Sequence, residues 1–223
     1  MLKAYVLNLP HRTDRWEHML KEFDGKCELI KADCVMVNDD DLPKMERAYR
    51  GVAYTHIQLI KDAKERGDKT LLILEDDCIM ADKTSWGKWL LVKQWLDNNM
   101  DRWEMFNGGV VMPEHIETFV MVDDIHLIKH SGGGGAHFLY INVDKSYQYI
   151  LDWVIDKEPI DLYYSNTFNY WVSLPLLALQ KEDFSDIQGQ NRNWECMIFA
   201  TRKKLEHNIQ QYLHREGLSR NRR

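Results

Sequence analysis

Leu71-Leu72-Ile73-Leu74-Glu75-Asp76-Asp77-Cys78 is the stretch whose reading decides the fold. Four large apolar residues in succession read as a short strand buried on both faces, the habit of strands at the centre of a parallel sheet. Three acids follow without a break. A buried strand cannot hold three carboxylates in its middle, because unpaired buried charge is very costly. They must emerge at the carboxyl end of the strand, where open α/β sheets bind their ligands. In an extended backbone Glu75 and Asp77 point to one side and Asp76 to the other. Two carboxylates on one side repel unless a cation sits between them, and such oxygen ligands suit Mg²⁺ or Mn²⁺. Acids at a helix N-terminus, or a solvated turn, are the alternative reading of the same residues.

Upstream, Met45, Ala48, Tyr49, Val52, Ala53, His56, Ile57, Ile60 and Ala63 trace one stripe of a helix over Lys44–Arg66, closed by Gly67. The helix delivers the chain to the acidic strand, which makes a β-α-β pattern. His56 lies inside the apolar stripe, where a satisfied core histidine and a ligand both fit the spacing. Nearer the start, Ala4-Tyr5-Val6-Leu7-Asn8-Leu9 reads as a strand stopped by Pro10, and a helix follows over 13–23. The join, Asn8-Leu9-Pro10-His11-Arg12-Thr13-Asp14-Arg15, is a natural anion site, since N–H groups, helix dipole and guanidinium converge there. Equally, Arg12 and Arg15 can be surface charges paired with Asp14 or Glu17. Glu28-Leu29-Ile30-Lys31-Ala32 reads as a further strand, and Asn38-Asp39-Asp40-Asp41 as a solvated loop.

Downstream, a Trp-rich helix covers 86–95, and Met105-Phe106-Asn107-Gly108-Gly109 is a strand ending in glycines. Two shorter antiparallel strands are expected over 118–122 and 126–129. Ser131-Gly132-Gly133-Gly134-Gly135 lacks the Lys-Ser/Thr of a phosphate-binding P-loop, leaving a hinge or a backbone passing close beside a ligand. Ala136-His137-Phe138-Leu139-Tyr140-Ile141 is a strand, after which Asp144 can cap a helix carrying Tyr147, Ile150, Leu151 and Val154. Pro159-Ile160-Asp161-Leu162 sets one acid among apolar neighbours. A last strand is expected over 172–179, then the polar loop Ser185-Asp186-Ile187-Gln188-Gly189, and from 202 to 223 a basic end, helical at first and then frayed.

The 223 residues suit one domain with a sizeable core. A net charge of -6 argues against a general nucleic-acid binder. The 8 Trp and 10 Tyr are mostly core, although sugar sites also use aromatic platforms. Cys27, Cys34, Cys78 and Cys196 show no CxxC pairing or zinc-finger spacing. With no signal-like start and no apolar run of the roughly 18 residues a span needs, reduced cysteines in a cytoplasmic protein are expected.

Taken together these segments resemble the glycosyltransferases of the lipooligosaccharide galactosyltransferase and procollagen galactosyltransferase group, whose fold is GT-A. The resemblance rests on Tyr5 to Arg15, on Ala53-Tyr54-Thr55-His56-Ile57 where that family carries a Ser-His pair, and on Leu72 to Asp77. Gly135 to Ile141 with Pro159-Ile160-Asp161, and Ser185-Asp186-Ile187, extend it. Gly51-Val52-Ala53-Tyr54-Thr55 stands where the family has a glycine-cysteine pair before its Ser-His. The resemblance implies an α/β fold, a single-domain GT-A-like (Rossmann-like) mixed sheet flanked by helices, over 1–200, with a basic C-terminal helix or tail over 201–223. It implies inverting transfer of a sugar from a nucleotide-sugar, a UDP-sugar foremost, to a hydroxyl of a glycan, lipid or protein acceptor, dependent on Mn²⁺ or Mg²⁺. Asp77, with Glu75, would bind the metal. Asn8, Leu9, Arg12, Arg15, Asp33, His56, Glu75 and Asp76 would contact the donor. An inverting displacement needs a carboxylate base. Asp161 is the first choice, because apolar neighbours would raise its pKa, and Asp186 the second. No stable nucleic-acid binding and no transmembrane segment are expected, and the basic C-terminus leaves room for a peripheral contact. Metal-dependent phosphoryl transfer or nuclease chemistry, and a sugar-binding module without catalysis, are the rival readings.

Overall fold

The structure is a computed structural model that describes residues 1–153, 159–182, 184–185, 190–191 and 194–217. In chain order its elements are β1 (Lys3–Leu7), α1 (Thr13–Glu22), β2 (Glu28–Ala32), α2 (Lys44–Arg66), β3 (Thr70–Glu75), β4 (Cys78–Met80), α3 (Ser85–Asn98), β5 (Met105–Asn107), β6 (His115–Val122), β7 (Ile125–Ser131), β8 (Phe138–Asn142), α4 (Val143–Leu151), α5 (Ile160–Thr167), β9 (Tyr170–Leu174), β10 (Ala178–Gln180), β11 (Phe184–Ser185), β12 (Gln190–Asn191) and α6 (Glu195–Arg215). Among the described residues the main sheet has eight strands in the order β2-β1-β3-β8-β5-β9-β7-β6. It is the mixed α/β sheet flanked by helices that the sequence leads one to expect.

The central strands are apolar on both sides because helices cover both sides. Leu72 and Leu74 of β3 join the core beneath α1 and α3, whereas Leu71 and Ile73 face that beneath α2, α4 and α5. Phe138 and Tyr140 against Leu139 and Ile141 repeat the alternation in β8. Each such side chain contributes roughly 1.5–3 kcal/mol on burial. Trp89 of α3 packs on Phe106, Phe138 and Tyr140 at 5.0–5.5 Å between ring centres. The Trp-rich helix is therefore core. Helix α6 lays Leu205 and Ile209 on Val110, Ile128 and Val172.

Several expectations are corrected. The strand expected over 172–179 is two strands: β9 ends at Leu174, Pro175 has no N–H to continue the ladder, and β10 leaves to pair with β4. Asp144 does not cap a helix. Because β8 runs directly into α4, Asn142 holds the cap position and Asp144 sits in the first turn, accepting bonds from Lys64 at 2.8 Å and Lys69 at 3.0 Å. Val154 lies outside the described residues. Gly67 closes α2 as expected, with a left-handed φ of 75° and its N–H on Lys64 O. No helix among the described residues is long and apolar enough to cross a membrane. The four cysteines form no disulfide.

Candidate functional site

The parallel strands β1, β3, β5 and β9 share a carboxyl edge, and β8, antiparallel to β3 and β5, begins there. That edge gathers Asn8 behind β1, Glu75-Asp76-Asp77 at the end of β3, Asn107 at the end of β5, and Gly134-Gly135 before β8.

Its β1 side is a knot around Asp76. Asp76, 7% exposed, accepts Asn8 Nδ2 at 2.7 Å on one oxygen and Arg15 Nη1 at 2.6 Å on the other. Asn8 Nδ2 also donates to Arg12 O at 2.9 Å, which ties the turn to the edge. Burial opposes the Arg15 charge, but Asp76 and, more weakly, Asp77 at 3.8 Å outweigh it and raise its pKa. Arg15 thus reaches across to the end of β3. Arg12 grips both carboxylate oxygens of Asp14, at 2.9 and 3.0 Å, and its hydrogen bond holds that carboxyl down at about 2. Leu9, half-buried, accepts the Arg12 N–H through its carbonyl, and Asp33 is exposed one residue beyond β2.

On the other side Glu75 and Asp77 lie recessed. Burial, then Asp77, Asp161 and Asp76, push Glu75 well above the usual carboxylate range. Burial lifts Asp77 to about 6 against the pull of Arg15. Gln180 of β10 donates to Glu75 Oε2 at 3.3 Å, while Asp77 Oδ1 is buried without a hydrogen-bond partner. An orphaned carboxylate oxygen beside a second, crowded carboxylate is the setting a divalent cation relieves, so these two residues fit one. Among the described residues no group of three His, Cys, Asp or Glu forms a cage. The fit is therefore to a cation held by one or two carboxylates together with substrate phosphates.

Asp161 opens α5, half-buried rather than enclosed in a dry apolar pocket. Its Oδ2 accepts Gly135 N–H at 2.8 Å and its Oδ1 accepts Leu162 N–H at 3.0 Å. Asp186 lies outside the described residues. The glycine run is packed against the protein itself: a side chain at Gly133 would strike Val111 O, and one at Gly134 would lie 2.9 Å from Asp161 Oδ2. His56 is fully buried, with Nδ1 3.1 Å from the Tyr164 hydroxyl, and burial drops its pKa to about 4. It is neutral, and it backs α5 from inside the fold. His137, also buried, has its pKa lowered to about 4 in the same way.

The structure thus brings together Asn8, Arg15, Glu75, Asp76, Asp77 and Asp161, leaves Asp33 exposed, and withdraws His56 into the core. Sequence reasoning missed Asn107 and Gln180. An Asn directly before Gly-Gly at a strand end is a turn signal that could have marked Asn107. Nothing local marks Gln180.

No protein-family model matches the chain, and no curated protein sequence matches it. Among solved structures it is similar to A197 from STIV, with TM-score 0.41 and 11% identity over 82% of this chain and 95% of that one. It is also similar to a glycosyltransferase involved in the glycosylation of the major capsid of PBCV-1, with TM-score 0.38 and 8% identity over 68% and 63%. A third is the mannose-1-phosphate geranyltransferase from Thermus thermophilus, with TM-score 0.41 and 9% identity over 77% and 72%. Likeness this distant carries no argument about substrate or mechanism.

Proposed function

We propose that the chain is a glycosyltransferase that moves a sugar from a nucleotide-sugar, a UDP-sugar foremost, to an acceptor hydroxyl on a glycan, lipid or protein, with inversion. The observation that carries this reading is the Glu75–Asp77 pair, recessed at the carboxyl edge with a buried, unpartnered oxygen, in the electrostatic reach of Asp161. Asp77 and Glu75 would hold Mn²⁺ or Mg²⁺. A divalent cation there, when bound, supplies positive charge to the departing diphosphate.

The chain's own residues do the rest. Asp161 accepts the proton of the acceptor hydroxyl as that oxygen bonds to the anomeric carbon, and the bond from that carbon to the diphosphate oxygen breaks on the opposite face. Arg15 and Asn8 hold Asp76, and through it the backbone that presents Asp77. Arg12 and the exposed turn after β1 face the nucleotide. The similarity to the lipooligosaccharide and procollagen galactosyltransferase group supports the same assignment.

A thermal-shift screen of nucleotide-sugars with and without Mn²⁺ tests it, because a ligand that binds the native state raises stability by mass action. The expected result is a metal-dependent shift for at least one nucleoside diphosphate sugar, with turnover by the same pair. Cleavage of a phosphodiester without any response to nucleotide-sugars would move the chain to metal-dependent phosphoryl transfer. Binding without turnover would make it a sugar-binding module.

A further inference from the structure

Asn107 is the last residue of β5 and is fully buried. Its side-chain amide commits itself to three separate places. Nδ2 donates to Gly135 O at 2.7 Å and to the Tyr170 hydroxyl at 2.8 Å, and Oδ1 accepts Gly109 N–H at 2.8 Å. Both donors and the acceptor are used, so the amide has one orientation; turned over, it would set NH₂ against N–H and oxygen against oxygen. Gly135, whose carbonyl Asn107 holds, is the same residue whose N–H goes to Asp161 Oδ2 at 2.8 Å. Its φ of +93° is one that a side chain disfavours. Gly134 beside it leaves the Asp161 carboxylate room to approach, since a Cβ there would stand 2.9 Å from Oδ2.

We propose that Asn107 is the positioning residue for Asp161. By gripping Gly135 from inside the sheet it fixes where that carboxylate stands relative to Glu75 and Asp77. The inference rests on Asp161 being the proton acceptor. Asn107 touches no substrate and acts only through Gly135. Its second grip, on Gly109, locks the turn after β5 to the same point, so two glycine segments from distant parts of the chain are set by one amide. Positioning of this kind matters because a displacement of about 1 Å at a reacting group costs roughly 10²-fold in rate.

Asn107→Asp keeps the shape and the acceptor for Gly109 and, at a pH where it is ionised, cannot donate to Gly135. Asn107→Ser loses the reach to both, and Tyr170→Phe removes one partner without touching either glycine. Residue-resolved amide exchange at Gly109 and Gly135 is measured with the side-chain carboxyl-carbon NMR signal of Asp161, which is assigned by its loss in Asp161→Asn. In Asn107→Asp, Gly135 exchange rises at least about tenfold, Gly109 stays within about threefold, and the Asp161 signal shifts. In Asn107→Ser both glycines exchange faster, and in Tyr170→Phe neither does. With any nucleotide-sugar that is turned over, kcat falls while KM for the donor holds. An unmoved Asp161 signal in folded Asn107→Asp overturns the proposal. So does an exchange increase spread evenly over the sheet, which marks a merely structural residue. Absence of turnover with every donor counts against the glycosyltransferase reading alone, while the exchange rates and the carboxyl signal still decide the role of Asn107.

Discussion

On the β1 side of the acidic run, Asp76 has each oxygen taken, by Asn8 at 2.7 Å and by Arg15 at 2.6 Å. One residue further, Asp77 keeps a buried oxygen without a partner, and Glu75 before it is pressed by three neighbouring carboxylates. The same sheet edge therefore holds a knot, in which both oxygens of Asp76 are taken, and a mouth, in which an oxygen of Asp77 is left open. A charge that is buried and fully paired belongs to the architecture. One that is buried and left wanting is where a ligand has something to gain.

Chemistry separates the two most sharply. Asp161→Asn should lower turnover by roughly 10²–10⁴-fold while leaving donor affinity in place, at a cost of about 1–3 kcal/mol in stability for the one N–H that its NH₂ cannot accept. Joint loss of stability and donor binding would move Asp161 from the mouth to the architecture. On the knot side, Asp76→Ala takes away the 2.6 Å partner of the buried Arg15 and should cost about 3–5 kcal/mol in urea unfolding. A loss too small to measure would mean that the knot holds nothing.

Asp77→Asn should act in the opposite direction. Its carboxyl goes from 3.8 to about 6 on folding. A carboxyl raised on folding contributes stability that is present below pH 3.8 and lost as the pH climbs through about 6. In chelator, therefore, the variant should match the wild type below pH 3.8 and exceed it at pH 8 by about 3 kcal/mol. An equal penalty at both pH values would place Asp77 in the knot after all. Metal-dependent donor binding should vanish in that variant. The smallest effect belongs to Arg12→Ala: its partner Asp14 is exposed, so loss of the pair should move the melting temperature little. Weaker nucleotide binding in that variant would tie the turn to the donor.

What the sequence makes legible is what is local. Helix α2 has the bounds its stripe and Gly67 predict, and the acids do emerge at the end of a strand buried on both faces. The pairing of Arg15 with Asp76 joins residues 61 apart, and no periodicity carries that. Arg12 and Arg15, alike on paper, part company because Arg12 bonds Asp14 two residues on, whereas Arg15 reaches across to Asp76. The ribbon of β4 and β10 escaped notice because strands of 3 residues show no alternation to read. His56 went from candidate ligand to buried brace of Tyr164, a distinction that only the packing of α2 on α5 can make.

The antiparallel β8 between β3 and β5 bears on how the molecule is assembled. Strands β2, β1 and β3 form one patch, and β5, β9, β7 and β6 another, and β8 makes the hydrogen-bonded seam between them. Until residues 138–142 are in place, β3 presents a bare apolar edge and β5 has nothing to join it to the first patch. The earlier segments can gather locally, but the carboxyl edge closes only on the arrival of a strand from well past the middle of the chain. Such non-local closure slows folding. Weakening β8 should thus leave two half-sheets, each with its own helices, and the acids of β3 separated from Asn107 and Asp161.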